Sequence, residues 1–168
     1  MIKKLLQITL IATTLFSYEI EFGKSSKVPE NRQRPKEHKP LLRDDSKELV
    51  IDKTTGLMWQ DSIDTKTIRK NRKDAKQYCR RLVFAGYKDW YLPRVKELKS
   101  IVDETKSNPA IRKGFKNVKS AQYWTSSPNL SDIITAINVD FKSGQAYKNT
   151  REGKAYVRCV RGNYNKLI

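Results

Sequence analysis

Residues 86–102, Gly-Tyr-Lys-Asp-Trp-Tyr-Leu-Pro-Arg-Val-Lys-Glu-Leu-Lys-Ser-Ile-Val, form the stretch from which the fold is predicted. Gly86 can end a helix, because glycine adopts the left-handed conformation at no steric cost. Pro93 suits the first turn of a second helix, where its missing N–H is not needed. The apolar face of that second helix follows helical spacing and consists of Val95, Leu98, Ile101 and Val102. We expect the rest of the domain to pack around this stretch.

A first helix is predicted immediately upstream, from Arg72 to about Ala85, with Asn71 as its N-cap. Its core-facing stripe has helical spacing and comprises Ala75, Tyr78, Cys79, Leu82 and Val83. Off that stripe, four cations fall within about 60° of one another on an ideal helix, namely Arg69, Lys73, Lys76 and Arg80. They form either a basic ridge that binds an anion or an ordinary solvated helix face, and the full ridge requires Arg69 to be helical.

The remaining segments of the domain are predicted as strands and loops. Short β-branched or aromatic runs bounded by turn residues indicate strands at residues 49–51, 57–60, 122–127, 133–141, 146–148 and 156–160. In the longest run, alternation places Ile133 on one face with Val139 and Phe141. Residues 106–120 are polar and basic, and they predict either a long loop or a short helix flanked by loops. Four cations are expected to project from it, namely Arg112, Lys113, Lys116 and Lys119.

The N-terminal part of the chain is predicted to lie outside the folded domain. Residues 1–17 contain two lysines and then an uncharged apolar run, which is the layout of a secretory signal peptide. Residues 18–47 are rich in charge and proline, and they predict a flexible basic tether. The folded domain then covers residues 48–163, and residues 164–168 form a short tail. We therefore expect an exported protein, in the periplasm or at the cell surface, without a membrane span after cleavage.

Cys79 and Cys159 are the only two cysteines of the chain. Whether they are expected to pair depends on the compartment in which the protein resides. An oxidising compartment favours a disulfide, which here would join the first helix to the last strand. In the chain-entropy model, closing a loop of about 80 residues stabilises a fold by roughly 4.5 kcal/mol. The alternative is two unrelated buried thiols.

The chain is strongly basic, with 35 Lys and Arg against 18 Asp and Glu and a formal net charge of +17. Such a balance favours polyanionic partners, for example acidic polysaccharide, lipopolysaccharide, nucleic acid or anionic lipid. Trp59, Trp90 and Trp124 sit in apolar sequence contexts and are expected in the core. An exposed tryptophan would instead be able to stack on a sugar face.

Few residues suited to catalysis occur in the predicted domain. The sole histidine, His38, lies in the tether, so a nucleophile–histidine relay or a His-ligated metal has no parts inside the domain. No phosphate-cradling glycine motif occurs, and no cofactor or metal is predicted. Two carboxylate pairs, Asp61 with Asp64 and Asp103 with Glu104, would suit glycoside hydrolysis if each pair were close in space. Ordinary surface acids are the default interpretation of both.

Five ordered groups of motifs resemble one family of exported bacterial domains. They are Thr55-Gly56-Leu57-Met58-Trp59-Gln60, then Ala75, Tyr78, Cys79 and Leu82, then Gly86 to Pro93 with Glu97-Leu98, then Tyr123-Trp124-Thr125-Ser126-Ser127, and finally Val157-Arg158-Cys159-Val160-Arg161-Gly162. Over about residues 50–162 the chain resembles the family named after the C-terminal domain of the Legionella collagen-like adhesin. The resemblance implies an α+β, C-type-lectin-like domain, with two helices packed on a small, mainly antiparallel sheet and a disulfide from the first helix to the last strand. It also implies that residues 86–102 are the structural hub of the domain, with Trp90 and Leu92 buried.

Two residues depart from the family pattern. Tyr91 stands where the family usually has arginine, so a salt bridge made by that arginine is expected to be absent. Arg94 stands where a hydroxyl residue commonly follows the proline, which removes a hydroxyl able to form a capping box with Glu97. The calcium signatures of C-type lectins, Glu-Pro-Asn and Trp-Asn-Asp, are missing, since residues 127–129 read Ser-Pro-Asn. Calcium-dependent sugar binding is therefore not predicted.

For function, the resemblance implies attachment, because the named adhesin binds sulfated glycosaminoglycans and other polyanions. We predict a non-enzymatic, exported binding module for acidic or sulfated polysaccharide or another envelope polyanion. The candidate ligand-binding residues are Arg69, Lys73, Lys76, Arg80, Lys113, Lys116, Lys119, Arg158 and Arg161. The alternative hypothesis is a structural subunit of an envelope assembly, whose partner is another envelope protein or a second copy of this chain. An enzyme that uses a carboxylate pair ranks third.

Overall fold

The computed structural model describes residues 39–162 of the 168-residue chain. Within those residues it contains three helices and nine strands, which follow one another as β1 (Leu42–Asp44), β2 (Leu49–Asp52), β3 (Leu57–Gln60), α1 (Asp64–Thr67), β4 (Arg69–Lys70), α2 (Arg72–Arg81), α3 (Val95–Ser100), β5 (Gln122–Pro128), β6 (Thr135–Asp140), β7 (Gln145–Thr150), β8 (Ala155–Tyr156) and β9 (Val160–Arg161). The predicted signal peptide, residues 18–38 of the predicted tether and the predicted tail lie outside the described residues.

The strands form two sheets. The first is antiparallel, with the order β1-β2-β3-β9, and the second has the order β4-β8-β5-β6-β7. Among the described strand pairs, only β5 with β8 is parallel. The predicted α+β class with mainly antiparallel pairing is confirmed. The expected two helices on one sheet are corrected to three helices and two sheets.

Strand β1 lies inside residues 18–47, the segment predicted as a flexible tether, and is paired with β2. In the ladder, Arg43 pairs with Val50 of β2. Its guanidinium donates hydrogen bonds to the carboxylates of Asp45 and Asp61, and to the carbonyl of Gly114 at 3.2 Å. The low apolar content of this segment does not indicate a strand, because long-range charge-assisted hydrogen bonds and not buried apolar side chains hold β1 in place.

Residues 86–102 reach both clusters of core side chains. Trp90 and Leu92 are each 2% exposed and belong to one cluster, whereas the Tyr91 side chain packs against the other. Successive side chains of an extended segment point in opposite directions, which explains this alternation. Tyr91 also exchanges two backbone hydrogen bonds with Val160, at 2.8 and 3.0 Å. The stretch therefore has the structural role that the sequence predicts for it.

Helix α2 ends at Arg81, before the predicted end at Ala85. Ala85 and Gly86 both have positive φ angles, of +53° and +83°, at the centre of a tight turn over residues 84–87. Positive φ at both central positions is typical of a type I′ turn, so Gly86 serves this turn and does not end the helix directly. Val83 consequently leaves the predicted core stripe and is 66% exposed.

The starts of the two longer helices agree only in part with prediction. The Asn71 side chain accepts a hydrogen bond from the backbone N–H of Asp74 at 2.9 Å, so the predicted N-cap of α2 is confirmed. The N-cap of α3 is Arg94, and Pro93 precedes it instead of occupying the first helical turn. Ile133 lies before β6 and is 82% exposed, so its predicted place on the strand face is wrong.

Cys79 and Cys159 form a disulfide bond, with their Cα atoms 5.5 Å apart. The pairing predicted from the cysteine count is thereby confirmed, and it joins α2 to the residue that precedes β9. Both cysteines are fully buried. Trp59 and Trp124 are also 0% exposed, in the core positions that the sequence suggests.

Replacing Cys79→Ser and Cys159→Ser together is expected to lower the free energy of unfolding by about 4 to 5 kcal/mol, because the unfolded chain regains the freedom that a closed loop of this length removes. Urea denaturation checks this prediction. The wild-type protein in a reducing agent provides a matched control and should lose the same stability. Equal stability of the oxidised and reduced wild type would contradict it.

Candidate functional site

Three cations of α2 line its solvent-facing side. Lys73, Lys76 and Arg80 are all exposed, and their spacing of three and four residues places them on one helix face. The opposite face is packed into the core through Ala75 and Cys79, both 0% exposed. Within the part of the chain that the structure describes, none of the three cations forms an ion pair with a carboxylate. We call these three residues the α2 ridge.

Two open depressions adjoin the α2 ridge. The first has a volume of about 480 Å³ and is lined by Lys73, Lys76, Gln77, Arg80 and Arg81. The second, of about 360 Å³, is lined by Lys76, Arg80, Tyr91, Leu92, Arg94 and Ser126. Lys76 and Arg80 border both depressions, so the ridge continues into the second one, which we call the α2–α3 groove.

The α2–α3 groove is shaped by hydrogen bonds between the end of β5 and the start of α3. The backbone N–H of Ser126 donates to the carbonyl of Pro93 at 2.7 Å. Next to it, the N–H of Val95 donates to the Ser127 hydroxyl at 3.0 Å. These two bonds hold Arg94 and Ser126 side by side, opposite the cations of α2.

Tyr91, one of the two departures from the family pattern, is hydrogen-bonded to the side chain of Glu97. Glu97 is 0% exposed, and the Tyr91 hydroxyl donates a 2.8 Å hydrogen bond to its carboxylate. The backbone N–H of Arg94 donates to the other carboxylate oxygen at 2.6 Å. The hydrogen bond from the Arg94 N–H to the Glu97 side chain, which is one half of a capping box, is therefore present without a hydroxyl side chain at residue 94. At the helix start, the N–H of Val95 donates instead to the hydroxyl of Ser127 in β5.

The loop cations Lys113, Lys116 and Lys119 are exposed, but they belong to a different surface region. Lys116 forms an ion pair with Asp45 at 2.7 Å, and its backbone N–H donates to Asp61 at 2.8 Å. The loop is thus bound to β1 and to the end of β3. Neither depression beside the α2 ridge is lined by a loop residue, so the predicted set of cations is not one contiguous site.

Arg69 is exposed but is not helical, which removes it from the predicted four-residue ridge. It lies in β4, where its guanidinium donates to the carbonyl of Lys154 at 2.8 Å. It also lies 5.6 Å from the ring centroid of Tyr156. The charge of Arg69 therefore belongs to the turn between β7 and β8, whereas the ridge is confined to α2.

Arg161 is partly exposed and already has an anionic partner. Its guanidinium donates to both carboxylate oxygens of Asp89, at 2.7 and 3.0 Å, and stacks 3.7 Å from the ring centroid of Tyr87. The hydrogen bond from Arg161 holds the pKa of Asp89 below its usual value. A polyanion would have to displace this carboxylate to reach Arg161.

Arg158 is corrected from a predicted ligand-binding residue to a core residue. It is 0% exposed, and its guanidinium donates to the Asp61 carboxylate at 2.8 Å and to the carbonyl of Asn117 at 2.5 Å. Arg112, predicted to project from the loop, is also buried and lies 3.0 Å from the Asp52 carboxylate. A guanidinium inside the fold cannot contact a polymer outside it, so neither residue belongs to the site.

Three of the four carboxylates considered for catalysis, Asp61, Asp64 and Asp103, accept hydrogen bonds from neighbouring residues, and Glu104 is 3.9 Å from Lys99 and largely exposed. Asp61 is fully buried and accepts hydrogen bonds from two arginines. Asp64 accepts one from the Tyr78 hydroxyl at 2.9 Å. A hydrogen bond from Lys106 lowers the pKa of Asp103 to about 2. Asp103 is thus ionised at neutral pH and unsuited to the role of general acid.

Three residues of the two depressions escape sequence reasoning. Arg81 lies off the ridge by helical period but still lines the first depression. Arg94 is visible in the sequence only as a departure from the family pattern. Ser126 reaches the groove only because β5 is bonded to the segment before α3, a long-range contact that no local pattern indicates.

The fold and the exposed cations define a small, disulfide-linked α+β domain with a basic surface on α2. In residues 39–162 no cluster of His, Cys, Asp or Glu has the arrangement of metal ligands, and no helix of that range has the length and apolar character needed to cross a bilayer.

The chain belongs to the Lcl C-terminal domain family, whose model matches residues 48–161, so the resemblance is confirmed. That family is associated with adhesins. Comparison with curated proteins finds no match.

Replacing Arg158→Ala is expected to lower the free energy of unfolding by about 3 to 5 kcal/mol, because it leaves the Asp61 carboxylate buried without its full complement of partners. Arg161→Ala is the matched control, since it removes a partly exposed ion pair worth about 1 kcal/mol or less. Urea denaturation of both variants measures the difference. Equal losses would contradict the assignment of Arg158 to the core.

Proposed function

We propose that this protein is an exported, non-enzymatic module that binds an acidic or sulfated polysaccharide, or another envelope polyanion, through the α2 ridge. The observation that carries the proposal is the ridge itself: Lys73, Lys76 and Arg80 are exposed on one helix face without carboxylate partners among residues 39–162. Uncompensated cations on a rigid element attract a polyanion and release its counterions.

The spacing of the ridge favours a polymer over a single small anion. Residues 73 and 80 are separated by about 10 Å along the helix at 1.5 Å per residue. A chain that carries anionic groups at intervals can contact all three cations at once. Arg80 offers a planar fork for sulfate or carboxylate, whereas the two lysines act as point charges.

The α2–α3 groove extends this binding surface. Arg94 and Ser126 line it together with Lys76 and Arg80, so an anionic group that leaves the ridge meets a further cation and a hydroxyl residue. Lys113, Lys119 and Arg69 are proposed as outer contacts only, because they lie on other elements. Arg158 has no place in the proposal.

The finer parts of the proposal rest on the sequence. The absence of the lectin calcium signatures supports binding that does not require calcium, and the signal-like residues 1–17 support export to the periplasm or cell surface. The disulfide and the α+β class are compatible with a C-type-lectin-like relationship, which we include in the proposal. The α2 ridge and not the fold supports the proposed ligand class, because a shared fold does not determine a ligand.

The variant Lys73→Gln/Lys76→Gln/Arg80→Gln is expected to bind heparin-like polymer more weakly. If each cation displaces about one counterion, the slope of log affinity against log salt should fall by about three. Titration calorimetry or affinity chromatography at several salt concentrations measures the slope. Addition of EDTA should leave wild-type binding unchanged.

The matched control is Lys53→Gln/Lys142→Gln/Lys148→Gln, which removes the same charge from three exposed lysines on other elements. An equal loss in both variants would show that net charge and not the α2 ridge drives binding. A stoichiometric protein partner that survives high salt in an envelope pulldown, together with unchanged polymer binding by the ridge variant, would favour the structural-subunit alternative.

A further inference from the structure

The loop between β5 and β6 exposes three large aliphatic side chains to solvent. Leu130 is 93% exposed, Ile133 82% and Ile134 68%. Scattered single hydrophobic residues are ordinary on protein surfaces, but three within five residues form a local apolar feature that calls for an explanation. We call these three residues the apolar tip.

Polar contacts within the loop account for the outward position of the tip. The Asn129 side chain is 8% exposed, donates to the Thr135 hydroxyl at 2.7 Å and accepts from the N–H of Ser131 at 3.3 Å. The Asp132 carboxylate accepts from the N–H of Ile134 at 2.7 Å. The loop thus places its polar side chains against its own backbone and leaves its aliphatic ones facing water.

A turn that carries cations is hydrogen-bonded to the base of the apolar tip. Arg151 donates its backbone N–H to the carbonyl of Ile134 at 3.0 Å, and its side chain to the carbonyl of Thr135 at 3.1 Å. The N–H of Arg72 donates in turn to the carbonyl of Arg151 at 3.0 Å. Arg69 and Lys154 adjoin the same turn between β7 and β8.

The charge balance around the tip is positive. The tip, the turn between β7 and β8 and the residues bonded to that turn contain four cations, Arg69, Arg72, Arg151 and Lys154, but only two acids, Asp132 and Glu152. None of the four forms an ion pair with a carboxylate in the range 39–162. Burial and the neighbouring charge of Arg151 lower the pKa of Arg72, which is consistent with a local excess of positive charge.

We propose that the apolar tip and its cationic base form a docking site for an anionic lipid bilayer. Leu130, Ile133 and Ile134 would enter the boundary between headgroups and acyl chains, while Arg69, Arg151 and Lys154 meet lipid phosphates. One weak signal gives only marginal membrane binding, whereas stable attachment takes two in combination, and an apolar anchor beside a basic patch supplies both.

The size and shape of the tip favour a bilayer over a protein partner. A stable protein interface buries about 800 Å² on each partner, which is more than three side chains on one loop provide. A fluid bilayer needs no complementary surface and can accept a small projecting apolar group. The strong positive charge of the chain provides the long-range attraction to anionic headgroups.

Co-sedimentation of the purified protein with lipid vesicles tests the proposal. The wild type is expected to bind vesicles of phosphatidylcholine mixed equally with phosphatidylglycerol, and to bind phosphatidylcholine alone far more weakly. The variant Leu130→Ser/Ile133→Ser/Ile134→Ser should bind the anionic vesicles at least about tenfold more weakly. Failure of the wild type to bind anionic vesicles, or equal binding by the variant, would overturn the proposal.

A second measurement reports insertion directly. In Leu130→Trp, vesicles with brominated acyl chains should quench the fluorescence of the new indole, whereas Trp59, Trp90 and Trp124 are at most 2% exposed and act as internal controls. Absence of quenching in vesicle-bound protein would overturn insertion of the tip. Polymer binding tests the separate α2 ridge and should be unchanged in the serine variant, so failure of one proposal is distinguishable from failure of the other.

Discussion

The buried ion pair between Asp61 and Arg158 is the constraint on which the rest of the domain depends. Both side chains are 0% exposed, and burial of charge is tolerated only where partners replace the lost water. Asp61 therefore also accepts hydrogen bonds from Arg43 and from the backbone N–H groups of Lys116 and Asn117. One carboxylate thus holds the end of β3, the basic loop, β1 and the C-terminal segment in a single arrangement.

Three consecutive residues of the C-terminal segment bind three different parts of the fold. Arg158 binds Asp61, Cys159 is bonded to Cys79 of α2, and Val160 pairs with Tyr91 of the hub stretch. Because α2 is attached to the core through Cys79 on one face, its opposite face is left to solvent. The fixed orientation of that helix is what turns cations at helical spacing into a defined ridge.

Local patterns predict the parts of this architecture that depend on near neighbours. The Asn71 cap and the cations of α2 follow from spacing along one helix, and the disulfide follows from a count of two cysteines. Arg158 is missed because its partner is 97 residues away along the chain, and nothing in a run of basic residues marks which one is buried. Arg94 and Ser126 are missed for the same reason, since the groove exists only where β5 meets the start of α3.

Arginines and lysines divide the positive charge of the chain between inside and outside. Within residues 39–162, the cations that form an ion pair with a buried carboxylate are all arginines, namely Arg43, Arg112 and Arg158. Guanidinium is weakly hydrated and offers a planar fork, so it suits this role better than ammonium. Arg43 and Arg158 share one acid, Asp61, and Arg112 occupies a second, Asp52, of only 18 acidic residues in the chain. The cations of α2 and of the tip region are therefore left without enough internal acids to neutralise them, and the unbalanced charge lies where only an external anion can meet it.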